Sequence, residues 1–184
     1  MSLNLLIGPM FSSKTTELIR QYNIHKAVGR KCLVIKYAAD IRYSKLNVSS
    51  HDQWQLNAIS ANLLADVDIQ DYDVILVDEV QFFPDAAKYC ELWANNKKIV
   101  YAVGLSGTYQ RKPFAVISEL LPLADNIMHL TAVCKKTKQP AAFTKIKNIP
   151  PNINTDNGKQ ESQDIIIGGA ELYEAVDRNT YFNE

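Results

Sequence analysis

Apolar residues in this chain fall in short, nearly continuous runs separated by stretches of helical period. The runs are residues 3–7, 31–37, 74–77, 98–103 and 126–130, several of them rich in Val and Ile. Runs of this length are strands rather than helices. Their continuity, in place of strict alternation, suits strands covered on both faces, as in a parallel sheet. Between them, residues 15–29 read as a helix with Leu18, Ile19, Tyr22 and Val28 favouring one side and Gly29 as its stop. Residues 85–96 read as a second helix opened by Pro84, its inner face carrying Ala86, Tyr89, Cys90 and Trp93, and residues 114–121 as a shorter third. Strands alternating with helices predict an α/β fold with right-handed crossovers.

After about residue 132 the pattern changes. Residues 134–139 are basic and turn-like. Residues 149–163 hold Pro150-Pro151 and several Asn and Asp without any period, which reads as a long flexible loop of the kind that is functional or disordered. Residues 165–167 give one more strand, followed by Gly168-Gly169 and a polar tail ending near Tyr181-Phe182. The expected division is a domain of residues 1–132 and a small lobe of residues 133–184.

Composition narrows the class. At 184 residues and 47% hydrophobic, the chain can bury one compact core with a small appendage. A formal net charge of zero leaves no global field to recruit nucleic acid or an anionic membrane. No apolar run approaches the ~20 residues of a membrane span. Met1-Ser2-Leu3 runs straight into a strand, so no signal peptide is expected. Cys32, Cys90 and Cys134 are odd in number and lack motif spacing, so reduced thiols in a cytosol-like compartment are expected.

The candidate chemistry starts where the first strand ends. Gly8-Pro9-Met10-Phe11-Ser12-Ser13-Lys14-Thr15-Thr16 lies between a strand and a helix, the order of a P-loop. In that loop amides around Ser12–Thr16 face phosphate oxygens, Lys14 reaches the β/γ-phosphates and the Thr15 hydroxyl ligates Mg²⁺. Ser13 stands where the pattern has glycine, and it costs about 1–3 kcal/mol if its φ is positive. Residues 74–77 then deliver Asp78 and Glu79 to a strand end, where ligands of a parallel sheet gather. Asp78 suits Mg²⁺, directly or through water, and Glu79 suits a base for an attacking hydroxyl. The same pair also fits two solvated acids. Gln81-Phe82-Phe83-Pro84 puts two aromatics beside that base, either core or a stacking platform. Residues 105–114 carry two cations and two aromatics, fitting a solvated basic turn or a site where rings sandwich a base and Arg111 meets phosphate. His25 is expected on an exposed helix side, His129 as a hydrogen-bonded core residue, and His51-Asp52 as a small polar network.

Taken in order, these residues make the chain similar to the cytosolic (type II) thymidine kinase family. The resemblance runs through Gly8–Ser12, Thr16-Glu17-Leu18, residues 32–38, Asp40 with Arg42-Tyr43, His51-Asp52 and Asp78-Glu79 with residues 81–85. It continues through Gly107-Thr108, residues 110–114, residues 130–134, residues 167–170 with Tyr173, and Tyr181-Phe182. It implies a P-loop NTPase-like (RecA-like) parallel sheet flanked by helices, with a small C-terminal lasso lobe derived from a zinc ribbon. It further implies ATP-dependent 5′-phosphorylation of thymidine, with deoxyuridine as another acceptor, in a cytoplasmic homotetramer. Glu79 then matches the catalytic base and Arg42 the arginine near the transferred phosphate. Lys14, Thr15 and Asp78 match the phosphate and Mg²⁺ positions. By the same resemblance Met10, Phe82, Leu105, Tyr109, Phe114, Ile165, Ile167, Gly168 and Tyr173 correspond to positions around the nucleoside, and residues 149–163 resemble the lasso loop.

The chain departs from the family pattern at several points. Besides Ser13, Val80 follows Glu79 where a small residue is usual, and Ser106 replaces an acid. The family's four zinc cysteines become Cys134, Thr137, Asp177 and Thr180. One thiol, one carboxylate and two hydroxyls make a poor zinc site, so a metal-free, more mobile lobe is expected, held by packing and polar pairs from Asp177. Two alternatives stay open on the residues alone: a catalytically weakened nucleotide-binding homologue, and a P-loop ATPase acting on another partner.

Overall fold

In the computed structural model, residues 1–39, 47–49, 55–147 and 168–183 are described. In chain order the main elements are β1 (Ser2–Gly8), α1 (Lys14–Ala27), β2 (Cys32–Tyr37), β3 (Asn47–Ser49), β4 (Gln55–Asn57), β5 (Ile59–Ala61), β6 (Val74–Val77), α2 (Ala86–Asn95), β7 (Ile99–Leu105), α3 (Ala115–Leu120) and β8 (Asn126–His129). They are followed by β9 (Ala132–Val133), β10 (Pro140–Ala141), β11 (Phe143–Ile146), β12 (Tyr173–Val176) and α4 (Arg178–Asn183). Among the described residues, six strands form one sheet in the order β5-β2-β6-β7-β1-β8. Every pairing in it is parallel.

The near-continuous apolar runs follow from this sheet being covered twice. Leu3, Leu5, Ile7, Leu33, Ile35, Ile75, Val77, Val100 and Ala102 project to one side, against Cys90 and Trp93 of α2 and Ile117 and Leu120 of α3. Leu6, Val34, Val74, Leu76 and Val103 project to the other, with Leu18 of α1. Alternate side chains of each strand therefore feed opposite cores, and the runs stay nearly continuous, broken by few polar residues such as the buried Lys36 of β2. Each fully buried Leu, Ile or Val contributes about 1.5–3 kcal/mol of apolar transfer.

The outer strands depart from expectation. All of β8 is exposed, with Ile127 at 50% and Met128 at 41%, so this edge is not the doubly covered strand its apolar content predicts. His129 is exposed with it and is not a core residue. β5 lies at the opposite edge, where no strand is expected. The tail is also more ordered than a polar tail: α4 occupies it, after the antiparallel pair β11–β12. β9 pairs with β10. Ala132, Cys134, Ala141, Ala175 and Val176 form a separate small core, against which Phe11, Phe143 and Tyr181 pack.

Candidate active site

Parallel strands send every following loop to the same rim of the sheet. β1 ends at Gly8 in register with Leu105 of β7, and β6 ends at Val77 in register with Ala102. The loop of residues 9–13, the acids after β6 and the loop after β7 thus leave one rim together. β7 separates β1 from β6, so the two strands are about 10 Å apart, two spacings of ~4.8 Å.

The first loop is tightly held. Gly8 admits no side chain: a Cβ there would sit 2.6 Å from the Leu130 carbonyl oxygen and from Ser12 Oγ. The Gly8 carbonyl accepts from the Ser106 amide at 3.1 Å. Ser12 Oγ and Lys14 Nζ both donate to the Pro9 carbonyl, at 2.8 and 2.7 Å. Phe11 and Ser13 take left-handed backbone, φ 64° and 60°, which curls the loop into a concavity at the N-terminus of α1. Ser13 is therefore in the strained conformation that its substitution for glycine made costly. Lys14, Thr15 and Thr16 open α1, whose positive dipole end points into the loop. The Met10 amide is tied to Thr144 Oγ1 at 2.9 Å, so β11 braces the loop from outside.

The second group follows β6. Asp78 is only 9% exposed, and its Oδ1 accepts from the Glu79 amide at 3.1 Å. Glu79 has φ 52°, a left-handed value that a non-glycine residue keeps only where the surroundings over-determine it. The side chain of Gln81 supplies part of that control. Its Nε2 donates to Glu79 Oε2 at 2.6 Å and its Oε1 accepts from the Leu105 amide at 3.1 Å. Gly104 leaves room for it, since a Cβ there would lie 2.6 Å from Gln81 Oε1. Gln81 received no role from sequence. The signal was an amide two residues past an acid, where a 3₁₀ turn brings both to one side.

The remaining predicted residues divide. Phe82 is half-buried with its ring 5.3 Å from that of Tyr37, whereas Phe83 is fully buried core. Leu105 ends β7 beside Gln81. Tyr109 lies 6.4 Å from Tyr173, ring to ring, and Tyr173 is buried in β12. Gly168 is buried, and a Cβ there would meet Leu172 at 2.4 Å. Phe114 joins the main core with α2 and α3. Arg111 is not aimed as the phosphate reading supposed: its guanidinium stacks over Phe182, Tyr181 and Phe143. Arg42, Ile165, Ile167, His51, Asp52 and the loop of residues 149–163 lie outside the described residues.

Two groups away from this rim were misjudged or open. His25 is 8% exposed rather than solvated: Arg30 Nη1 donates to its Nδ1 at 2.8 Å, so Nε2 carries the proton toward Tyr101 Oη at 2.9 Å. Burial, and then the Arg30 charge, push its pKa down. Cys134, Thr137, Asp177 and Thr180 converge in the small core. Thr137 Oγ1 donates to Asp177 Oδ2, the Thr180 amide donates to Asp177 Oδ1 at 2.8 Å, and Cys134 Sγ lies 3.7 Å from Thr180 Oγ1. The Thr137 hydroxyl and then the Thr180 amide hold the Asp177 carboxyl below its usual range. All three cysteines are free thiols, and burial pushes Cys90 up to about 12. Among the described residues no helix is long and apolar enough to cross a membrane.

The donor set at the rim suits a hard cation with a polyphosphate: a hydroxyl at Thr15, a largely buried carboxylate at Asp78 and an ammonium at Lys14. A family model described as thymidine kinase matches residues 1–181. The chain is 43% identical over 184 residues to "Thymidine kinase, cytosolic" of Bos taurus, covering 99% of this chain and 72% of the bovine one. It is 42% identical over 184 residues to "Thymidine kinase" of Raccoon poxvirus, covering 99% and 97%. The identity is 42% over 183 residues to the thymidine kinase of Vaccinia virus (strain Western Reserve), covering 98% and 97%.

Proposed function

The chain belongs to the thymidine kinase family and is a nucleoside kinase, and we propose that it transfers the γ-phosphoryl group of ATP to the 5′-hydroxyl of thymidine, giving dTMP, with deoxyuridine as a second acceptor. One observation carries the reading: Lys14 with its loop and Glu79 with its glutamine brace leave the same rim of one parallel sheet.

In this mechanism the residue 9–13 loop and the α1 N-terminus bind the ATP phosphates. Lys14 exchanges the Pro9 carbonyl for a phosphate oxygen. Glu79 takes the 5′-hydroxyl proton, and Gln81 fixes the carboxylate by holding Oε2. Thr15 and Asp78 are the residues that would hold Mg²⁺, which supplies charge neutralisation on the phosphates when bound. Arg42, by the family pattern, faces the transferred phosphate. Met10, Phe82, Leu105, Tyr109, Phe114, Gly168 and Tyr173, with Ile165 and Ile167, enclose the nucleoside. Residues 133–184 act as the lobe that closes over it, without zinc: in place of four thiolates, the Thr137–Asp177–Thr180 hydrogen bonds tie it together. The chain works in the cytosol as a homotetramer without nucleic acid or membrane, and the open β8 edge is a surface that supports association.

The test is an assay of Mg·ATP with thymidine, deoxyuridine and deoxycytidine. Thymidine turnover well above deoxycytidine turnover is the expected result, and absence of any nucleoside product rejects the reading. Glu79→Gln should lower kcat by about 10²–10⁴-fold while thymidine still binds in a calorimetric titration. Comparable turnover in that variant removes Glu79 from its role. Metal analysis of the purified chain should find no stoichiometric zinc, and light scattering should give the mass of four chains.

A further inference from the structure

We infer that Arg111 is a positioning residue that clasps the residue 105–114 loop, one wall of the nucleoside site, against β11 and α4. The inference rests on the thymidine kinase reading for what that wall contacts. The Arg111 guanidinium carbon lies 4.3 Å from the ring centre of Phe182, 4.9 Å from that of Tyr181 and 5.7 Å from that of Phe143. The three rings support one another, with Tyr181 5.6 Å from Phe143 and 5.3 Å from Phe182. A second bond ties the same surfaces: Tyr181 Oη donates to the Tyr109 carbonyl at 2.7 Å.

The loop transmits this hold to Tyr109. The Thr108 amide donates to the Lys112 carbonyl at 2.9 Å, and the Arg111 amide to the Thr108 carbonyl at 2.9 Å. The Thr108 hydroxyl accepts from the amides of Gln110 and Lys112, at 3.2 and 3.1 Å. Residues 108–112 are thus one stiff turn, and fixing Arg111 fixes Tyr109, whose ring faces Tyr173 across the site. Arg111 itself holds φ 61°, strained for a side-chain-bearing residue and retained where surroundings over-determine it. The clasp favours arginine, because a planar guanidinium can lie flat on a ring and span several, whereas an ammonium meets a ring only as a point charge.

The experiment compares R111A, R111K, F182A and R111A/F182A in the full chain. R111A should raise the thymidine KM about 5–10-fold, leave the ATP KM unchanged and keep kcat within about twofold. R111K should fall between wild type and R111A, and the double variant should be no worse than R111A. Amide exchange at residues 109–112 should quicken about tenfold in R111A. An unchanged thymidine KM in R111A overturns the positioning role. So does an ATP KM that rises in parallel, which would mark a phosphate contact. If wild type fails to phosphorylate thymidine, the functional reading fails while exchange still scores the clasp, and unchanged exchange there overturns it too.

Discussion

Ser13 shows how one side chain can be tolerated where the motif has none. Its φ of 60° places it in left-handed backbone, where a Cβ costs about 1–2 kcal/mol. Glycine would relieve that cost and lose about 0.5–1 kcal/mol of it to chain entropy. Ser13→Gly should therefore stabilise the fold by about 1 kcal/mol in urea denaturation. Turnover should stay within about threefold, since Ser12 and Lys14 already meet the Pro9 carbonyl in the present loop. A large rise in kcat would instead mean that serine distorts the proposed phosphate site. The placement of Lys14 at the start of α1 and of Asp78 and Glu79 just past β6 was legible in sequence, because apolar runs mark where those elements begin and end. Gln81 and Thr144 were not. Each acts through a hydrogen bond that needs a turn, or a partner more than a hundred residues away, to be visible.

At the scale of elements, α1 links the residue 9–13 loop to a buried titratable group. Its first residue is Lys14, and near its last turn His25 accepts from Arg30 and meets Tyr101. The His25 pKa is depressed in the fold. As pH falls through the unfolded value near 6.5, the denatured chain binds a proton before the native one does. Stability should therefore decline from about pH 7 downward until the native value is passed. Urea midpoints measured from pH 7.5 to 5.5 should show that slope, and His25→Gln should flatten it. His25 was misread as exposed although Leu18, Tyr22 and His25 follow the i, i+4, i+7 spacing of one helix face; its polarity outweighed its position. The central strands were legible because burial on two faces leaves a continuous apolar run. β8 has the same composition at an open edge, so the same signal misplaced His129. β9 and β10 have two residues each, below the length at which any period can register.

For the whole molecule, the question is which part loosens first. The small core around Cys134 and Ala175 has few members and relies on Asp177 to join Thr137 to Thr180. Because the native Asp177 pKa is depressed, its contribution is present above the usual carboxylate range and is lost as pH falls through the native value. Asp177→Ala should speed amide exchange by about tenfold in β9–β12 and leave β1, β6 and β7 unchanged. Equal acceleration in both regions would mean that the two cores melt as one.

The register of β1 also governs how the chain can be born. Its neighbours are β7 and β8, so Ser2 waits for Ile99 and Asn4 for Asn126. At ribosomal speeds of about 5–20 residues per second, the first strand has neither partner for roughly 5–20 s. During that interval Leu3, Leu5 and Leu6 have no neighbouring strand on either side. The rim that carries Lys14 and Glu79 is likewise completed only when Leu105 comes into register with Gly8, after more than half of the polypeptide has emerged.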